Sequence, residues 1–195
     1  MVTANKARNV EYIDFSPQYL DEMVKLGEKR FGEMYTNKDK LLSYVTNKNN
    51  ICKLAIDKDE NRLLGFFLTH ASSIKGVSEE FKLSEEELKN VVGGHNNLCV
   101  ARSLVLQQDA EKAGLATELV KRGMQKAKDM GFHSAWSPLW IRKDGSIPAK
   151  KVIERNNFKF SNIITHMLWF DDKDYKCLDC HGPCKCDAAI YYKIL

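Results

Sequence analysis

The stretch LCVARSLVL at Leu98–Leu106, with QQDAEKAGLA at residues 107–116 directly after it, decides the fold of this chain. The first segment is almost continuously apolar, which predicts a central strand covered on both faces. The second is a polar loop that leads into a helix over residues 114–130, because apolar residues recur there at helical spacing. These residues are Ala116, Leu119, Val120, Met124 and Ala127.

Strands and helices are predicted to alternate along the rest of the chain. The further strands lie at residues 8–15, 51–56, 63–72, 132–141, 158–170 and 188–195, and the further helices begin behind Ser16 and Pro17 or lie at 38–45, 84–92 and 147–156. The segments 51–56 and 63–72 flank a polar turn and predict a hairpin. Ser84 and Glu87 predict a capping box. This order favours a mixed α/β fold with a partly parallel central sheet.

Composition restricts the class of protein. The chain has 195 residues, of which 44% are hydrophobic, so a single domain over residues 1–195 is predicted, with a Cys-rich hairpin loop at 177–186. The net charge of +4 is spread along the sequence without a basic stripe or tail, which argues against nucleic acid as a partner. No apolar run suits a membrane span or a signal peptide, so no membrane partner and a cytoplasmic location are predicted.

The loop at residues 107–116 is a candidate anion site. Backbone amides at a helix N-terminus have no partner within the helix, and Gly114 lets a ligand approach the backbone closely. The alternative is a plain strand-to-helix turn whose glycine serves geometry alone. The chain has neither G-x-x-x-x-G-K-[ST] nor G-x-G-x-x-G, so loops for nucleoside triphosphates or dinucleotides are not supported.

This segment resembles the acetyl-CoA loop of the Gcn5-related N-acetyltransferases (GNAT), which reads [Q/R]-x-x-G-x-[G/A] after a strand ending L-x-V. Here the strand ends Leu104-Val105-Leu106 and the loop is EKAGLA at residues 111–116. The family's next motif is matched in part by residues 146–158, and the order of elements agrees along nearly the whole chain. The resemblance implies the GNAT acyl-CoA N-acyltransferase fold, a central mixed β-sheet flanked by helices, and an acetyl-CoA-dependent N-acetyltransferase, commonly a homodimer.

The resemblance also implies roles for individual residues. The pyrophosphate of acetyl-CoA would lie on the amides of Lys112, Ala113, Gly114, Leu115 and Ala116, after Glu111 at the first position of the loop. The backbone of Leu104 and Leu106 would pair with the pantetheine arm, and Ser146 would stand near that arm. An amine would then attack the acetyl thioester directly, without an acyl-enzyme.

The chain departs from the family pattern at three positions. Glu111 replaces a Gln or Arg, so its side chain is expected to turn away from the anion or cap an amide. Asn157 replaces a Gly, which its tolerance of the left-handed conformation permits. Ile153 replaces the Tyr that protonates the departing thiolate in many members.

Other residues are therefore considered for acid–base chemistry. Tyr191 or Tyr192 on the last strand is a candidate substitute for the missing Tyr, but only one of two adjacent strand residues can face the site. Among the histidines, His70 and His95 are expected near the acceptor, with His95 taken as a candidate catalytic residue. A histidine at a strand end is otherwise a surface or hydrogen-bonded residue.

Four cysteines crowd into the last loop: Cys177, Cys180, Cys184 and Cys186. Four thiolates within ten positions can surround one Zn²⁺ tetrahedrally, with His181 as an alternate ligand. A redox-active thiol pair and plain reduced cysteines are the alternatives.

Two other functions are compatible with the sequence. One is a catalytically silent CoA-binding sensor or scaffold of the same fold, suggested by Glu111 and Ile153. The other is a zinc-stabilised interaction protein. The acceptor amine itself is not identified by the sequence.

Overall fold

A seven-stranded sheet forms the centre of the computed structural model, which describes residues 8–167 and 171–195. The strands are β1 (Val10–Asp14), β2 (Gly32–Glu33), β3 (Ile51–Asp57), β4 (Arg62–Ser72), β5 (Leu98–Leu106), β6 (Ser134–Ile141), β7 (Lys159–Thr165), β8 (Lys176–Cys177) and β9 (Asp187–Ile194). The large sheet has the order β1-β3-β4-β5-β6-β9-β7, while β2 pairs with β8. Only β5 and β6 run parallel among these described pairs, so the partly parallel sheet is confirmed.

Helices cover both faces of the sheet. They are α1 (Leu20–Phe31), α2 (Lys38–Val45), α3 (Ile74–Phe81), α4 (Glu85–Val92), α5 (Leu115–Asp129) and α6 (Lys150–Arg155). Adjacent residues of β4 show the two layers, because successive strand side chains point to opposite faces. Phe66 packs with α1 and α2, whereas Phe67 packs with α5. The mixed α/β class is thus confirmed, with separate cores above and below the sheet.

The structure corrects several of the predicted elements. A 3₁₀ turn at Pro17–Tyr19 precedes α1, and the side chain of Ser16 makes no capping hydrogen bond there. Helix α3 was not predicted, and α6 is shorter than residues 147–156 because it begins only at Lys150. Strand β7 ends at Thr165, and residues 168–170 of the predicted strand lie outside the described residues.

Local turn chemistry agrees with the sequence at two helix ends. Ser84 and Glu87 form the predicted capping box of α4, each side chain bonding the other residue's backbone amide. Asn157 follows α6 with φ +65°, a left-handed conformation that asparagine tolerates and in which it can replace glycine.

Within the described residues, no helix combines the length and apolar character needed to cross a membrane.

Candidate active site

A cleft opens where β5 and β6 separate. The two strands pair only between Leu98–Val100 and residues 134–136. On its other side, β5 pairs Ala101 with Thr69 and Ser103 with Leu68, so Arg102 is an extra residue that forms a β-bulge. The backbone of β5 beyond this point has no partner strand on the β6 side among the described residues. The gap becomes a cavity of about 480 Å³.

Residues from the predicted cofactor segment line this cavity. They are Leu104, Leu106, Glu111, Lys112 and Ala116. Of the remaining predicted residues, Leu115 is buried in the core on α5, and Ala113 and Gly114 are exposed at the head of that helix. The structure therefore brings the strand end, the loop and the helix N-terminus to one edge of the cleft.

The backbone of the loop has the geometry of an anion cradle. Lys112 and Gly114 both have positive φ, at +64° and +80°, so the chain turns sharply just before α5 begins. A Cβ added to Gly114 would meet no atom within 4 Å, which leaves the space above the helix N-terminus open. Amides in such a turn and at a helix N-terminus attract anions.

The charge of Glu111 is neutralised by a neighbour that sequence reasoning did not identify. Arg30, from the end of α1, forms an ion pair with the Glu111 carboxylate. The side chain therefore turns toward α1, in agreement with the first of the two expected alternatives. Basic side chains dominate the lining of the cavity, five against the two acids Glu80 and Glu111. The basic residues are Lys29, Arg30, Arg102, Lys112 and Arg142.

A polar network closes the opposite end of the cleft. Glu80 of α3 lines the cavity, and its carboxylate lies 3.0 Å from His70 Nε2. The other ring nitrogen of His70 lies 2.8 Å from the Tyr44 hydroxyl. Burial raises the pKa of Tyr44 well above its ordinary value, so this phenol stays protonated. The network comes from three separate elements and therefore exists only in the folded chain.

Tyr35 and Arg102 lie at the same end of the cleft as this polar network. The Tyr35 hydroxyl lies 2.5 Å from the buried hydroxyl of Ser103, and the Arg102 guanidinium lies 5.8 Å from the centroid of the Tyr44 ring. Both residues also line a second cavity of about 230 Å³. The two cavities therefore meet at these side chains.

Comparison with known proteins identifies the fold of this chain. No protein-family model matches the chain, and no curated protein matches it in sequence. Among solved structures, Arabidopsis thaliana NAA60 in complex with acetyl-CoA is 13% identical over 96% of this chain and 99% of that chain, with a TM-score of 0.69. A mosquito arylalkylamine N-acetyltransferase like 5b is 16% identical over 96% and 100%, with a TM-score of 0.63.

A third match, an N-acetyltransferase from Staphylococcus aureus, is 13% identical over 95% of this chain and 98% of that chain, with a TM-score of 0.64. The chain has the GNAT fold. The predicted resemblance is confirmed at the level of architecture, because the agreement spans both chains almost completely while few residues are shared.

Within this GNAT fold, Ser146 and the two candidate tyrosines also lie away from the cavity lining. Ser146 is exposed in the turn after β6, where its amide donates to Asp144 Oδ1. Tyr191 is buried against α6, with its hydroxyl 3.4 Å from Glu154 Oε1, and burial raises its pKa. Tyr192 stacks on the ring of Trp136, with centroids 5.5 Å apart.

His95 also lies apart from the cleft. It precedes β5 and stacks on His133, with ring centroids 3.8 Å apart, at the end of the sheet where β5 and β6 are still paired. Ile153, at the position of the missing tyrosine, is buried on α6 and lines the cavity with an apolar side chain. Glu80, Tyr35 and Arg102 are the polar side chains that the fold brings to this part of the cavity lining.

The four predicted cysteines come together beside the cleft. The Sγ atoms of Cys177, Cys180, Cys184 and Cys186 all lie within 4.8 Å of one another. Two measured separations are 3.6 Å, for Cys180 and Cys186, and 3.8 Å, for Cys177 and Cys186. A tetrahedral zinc with Zn–S bonds of about 2.3 Å requires S···S separations of about 3.8 Å. The arrangement therefore fits a Cys₄ zinc site.

The segment that carries these cysteines is fixed to the wall of the cleft. Strand β8 pairs with β2, and the Tyr175 hydroxyl donates to the Phe31 carbonyl at 2.8 Å. Asp179 accepts two hydrogen bonds from the Arg142 guanidinium. Leu178 then reaches the cavity lining between these anchors.

Proposed function

We propose that this protein is an acetyl-CoA-dependent N-acetyltransferase that transfers the acetyl group to an amine by direct attack. The observation that carries the proposal is the cavity where β5 and β6 separate, which joins an unpaired strand edge to an anion-binding helix N-terminus. NAA60, whose structure was solved with acetyl-CoA, has the same fold and supports this assignment.

The residues present suit acetyl-CoA. The turn at Lys112 and Gly114 offers backbone amides to the pyrophosphate, and the strand edge at Leu104 and Leu106 offers hydrogen bonds to an extended pantetheine arm. The excess of basic side chains around the cavity favours a multiply charged anion. Bound acetyl-CoA would supply the activated acetyl group.

For proton transfer we propose Glu80 and Tyr35. A protonated amine must lose a proton before it can attack, and the Glu80 carboxylate lines the cavity with His70 hydrogen-bonded behind it. As the N–C bond forms and the C–S bond breaks, Tyr35, which lines the cavity, would donate its hydroxyl proton to the departing thiolate and take up the second proton of the amine, while the first proton passes from Glu80 to solvent. Catalytic roles for Tyr191, Tyr192 and His95, and a pantetheine contact for Ser146, stay predictions that this geometry favours less.

The deciding experiment is calorimetric titration of acetyl-CoA into the wild type and a Gly114→Trp variant. We expect micromolar binding by the wild type and a loss of at least about 10-fold in the variant, since the indole would fill the open space over the loop. Gly94→Trp is the matched control, because Gly94 also has a positive φ, +79°, and open space around its Cβ position.

The titration separates the proposal from its alternatives. Binding that both variants retain would remove the loop from the proposed site, and no binding by the wild type would refute the proposed function. Tight binding without turnover of any amine would favour the silent sensor.

We also propose that Cys177, Cys180, Cys184 and Cys186 hold a structural zinc ion, with no open position for chemistry. The support is the fit of the sulfur separations to a tetrahedral site and the packing of the cluster behind Trp140, which lines the cavity. A cytoplasmic location, as predicted, would keep the thiols reduced for the metal. The metal would then stabilise one wall of the cleft.

Metal analysis of the protein purified from zinc-supplemented cells tests this site. We expect about one zinc per chain in the wild type and in the control Cys52→Ala, and much less in Cys180→Ser. Cys52 is a suitable control because it is buried beneath α1 and α2, in a core separate from the cluster. An equal metal content in the two variants would contradict the assignment.

The single domain and the homodimer stay predictions, which hydrodynamic measurement can test.

A further inference from the structure

Arg102 occupies the junction of the two cavities. The larger cavity carries the proposed acetyl-CoA site, and the smaller one continues on the other side of Tyr35 and Arg102. An acceptor in the smaller cavity would therefore meet the acetyl group beside Arg102. The smaller cavity is lined by both apolar and polar side chains, including Leu41, Phe66 and Leu68.

The charge of Arg102 is not matched by a close carboxylate. Across residues 8–167 and 171–195, no carboxylate oxygen lies within 4.0 Å of its guanidinium. Partial desolvation lowers the pKa of Arg102, but the influence of Tyr35, Tyr44 and Glu80 outweighs it, so this solvent-exposed side chain stays charged. Lys40 of the smaller cavity differs, because it has Asp172 as a partner at 3.7 Å. Arg102 thus presents an exposed positive charge, without a carboxylate partner among the described residues, at the junction of the two cavities.

Glu80 supplies the opposite charge in the same cleft. Its carboxylate influences Arg102 electrostatically but is hydrogen-bonded to His70, so the two charges do not cancel by direct contact. A planar guanidinium matches a carboxylate with two parallel hydrogen bonds, and a carboxylate matches an ammonium group. Two separated charges of opposite sign therefore suit a ligand that carries both an ammonium and a carboxylate.

We propose that the acceptor is a free α-amino acid, whose carboxylate is bound by Arg102 and whose ammonium group is presented to Glu80. This inference rests on the proposed acetyltransferase function and specifies its substrate class. The side chain of the amino acid would extend into the smaller cavity, where Leu41, Phe66 and Leu68 favour an apolar group. A lysine side chain or a protein N-terminus offers the amine without an adjacent carboxylate and would leave Arg102 unpaired.

The test compares amino acids with their amides. Purified enzyme is given acetyl-CoA with L-leucine, L-methionine or L-phenylalanine, or with the corresponding amide, and acetylated product is measured by mass spectrometry. Near neutral pH a larger fraction of each amide is present as the unprotonated, reactive amine, because its amine has a lower pKa than that of the free acid. We nevertheless expect kcat/KM to be at least about 10-fold higher for at least one free acid than for its amide.

Variants of Arg102 assign this preference to the guanidinium. Arg102→Gln should lower kcat/KM for the acid on the order of 100-fold, mainly through KM, and change it less than about 3-fold for the amide. Arg102→Lys should fall between the two, because it keeps the charge but loses the planar fork. Lys89→Gln removes one charge from the exposed surface of α4 and should match the wild type.

Acetyl-CoA titration of each variant separates a failure of the amino-acid inference from a failure of the proposed acetyltransferase function. Binding equal to that of the wild type shows that the variant is folded and that the donor site is intact. If acetyl-CoA binds but acids and amides are used equally, or only amines without a carboxylate are used, the inference is overturned while the proposed function stands. An equal loss of kcat for acid and amide would overturn it too, since it would assign Arg102 to the reacting carbonyl. If the wild type binds no acetyl-CoA, the proposed function fails and the inference falls with it.

Discussion

Substitution of Gly123 tests the packing that shapes the floor of the cleft. Gly123 lies in α5 against Phe67 of β4, a buried side chain that also lines the large cavity. A Cβ at this position would lie 2.5 Å from two ring atoms of Phe67. Carbon atoms pack at about 3.5–4.0 Å, so the ring would have to move by about 1 Å. The cavity that Phe67 lines offers space for this movement.

Two effects of Gly123→Ala oppose each other. Helix propensity alone favours Ala by about 1 kcal/mol. Overpacking of a buried ring costs about 1–3 kcal/mol, and the upper half of that range applies because two atoms of a ring that is 1% exposed meet the new methyl group. The net expectation is a loss of about 1–2 kcal/mol in the free energy of unfolding, together with weaker acetyl-CoA binding.

Urea unfolding followed by circular dichroism measures this loss, and titration measures the affinity. Phe67→Leu supplies the control, since a smaller side chain relieves the clash. The double variant should be more stable than the sum of the two single effects predicts, by at least about 1 kcal/mol. If Gly123→Ala stabilises the protein by about 1 kcal/mol, as propensity alone predicts, the packing argument is refuted.

Two further predictions concern charges around the proposed phosphate-binding loop. Glu111→Gln should tighten acetyl-CoA binding about 3-fold, because it removes a negative charge and frees Arg30, and the gain should shrink in high salt; weaker binding at low salt would contradict this. Asp109 has its pKa lowered by hydrogen bonds from Arg62 and Arg8, so its contribution to stability is present above about pH 4 and is lost as the pH falls through its folded pKa. Because Asp109 is half exposed, Asp109→Asn should cost at most about 1 kcal/mol at pH 7, and this cost should disappear as the pH falls below the lowered pKa of Asp109; a cost that persists in strong acid, seen by urea unfolding, would assign the effect to packing.

The proposed acetyl-CoA side of the cleft was predictable because its elements are contiguous in sequence. Strand β5, the loop and the start of α5 are contiguous, so the apolar run, the polar break and Gly114 together indicate a strand edge beside a helix N-terminus. The cysteine cluster was predictable for the same reason, since ten consecutive positions hold all four thiols. Helix α3 was missed because it has only eight residues after its N-cap Ser73. Its few apolar residues are too short a pattern to predict a helix, and their burial is apparent only in the folded chain.

The acceptor side depends on contacts between distant elements. The chain separates Tyr44, His70 and Glu80 widely, and no spacing rule connects them. Arg102 is a charged residue within an apolar strand, and the sequence alone does not indicate its role. Its place in the cleft follows from the β-bulge and from the divergence of β5 from β6. Tyr191 illustrates the converse, because alternation along β9 turns its side chain into the core beside α6.

The sequence by itself determined most of the elements, the sheet class, the strand–loop–helix segment that carries Gly114 and the cysteine cluster, because these follow from periodicity and spacing along the chain. Tertiary structure alone decided where the sheet opens, which side chains meet in the opening and which charges stay unpaired there. The physical reason is that hydrophobic periodicity specifies which face of an element is buried, whereas a cleft forms where two elements stop pairing.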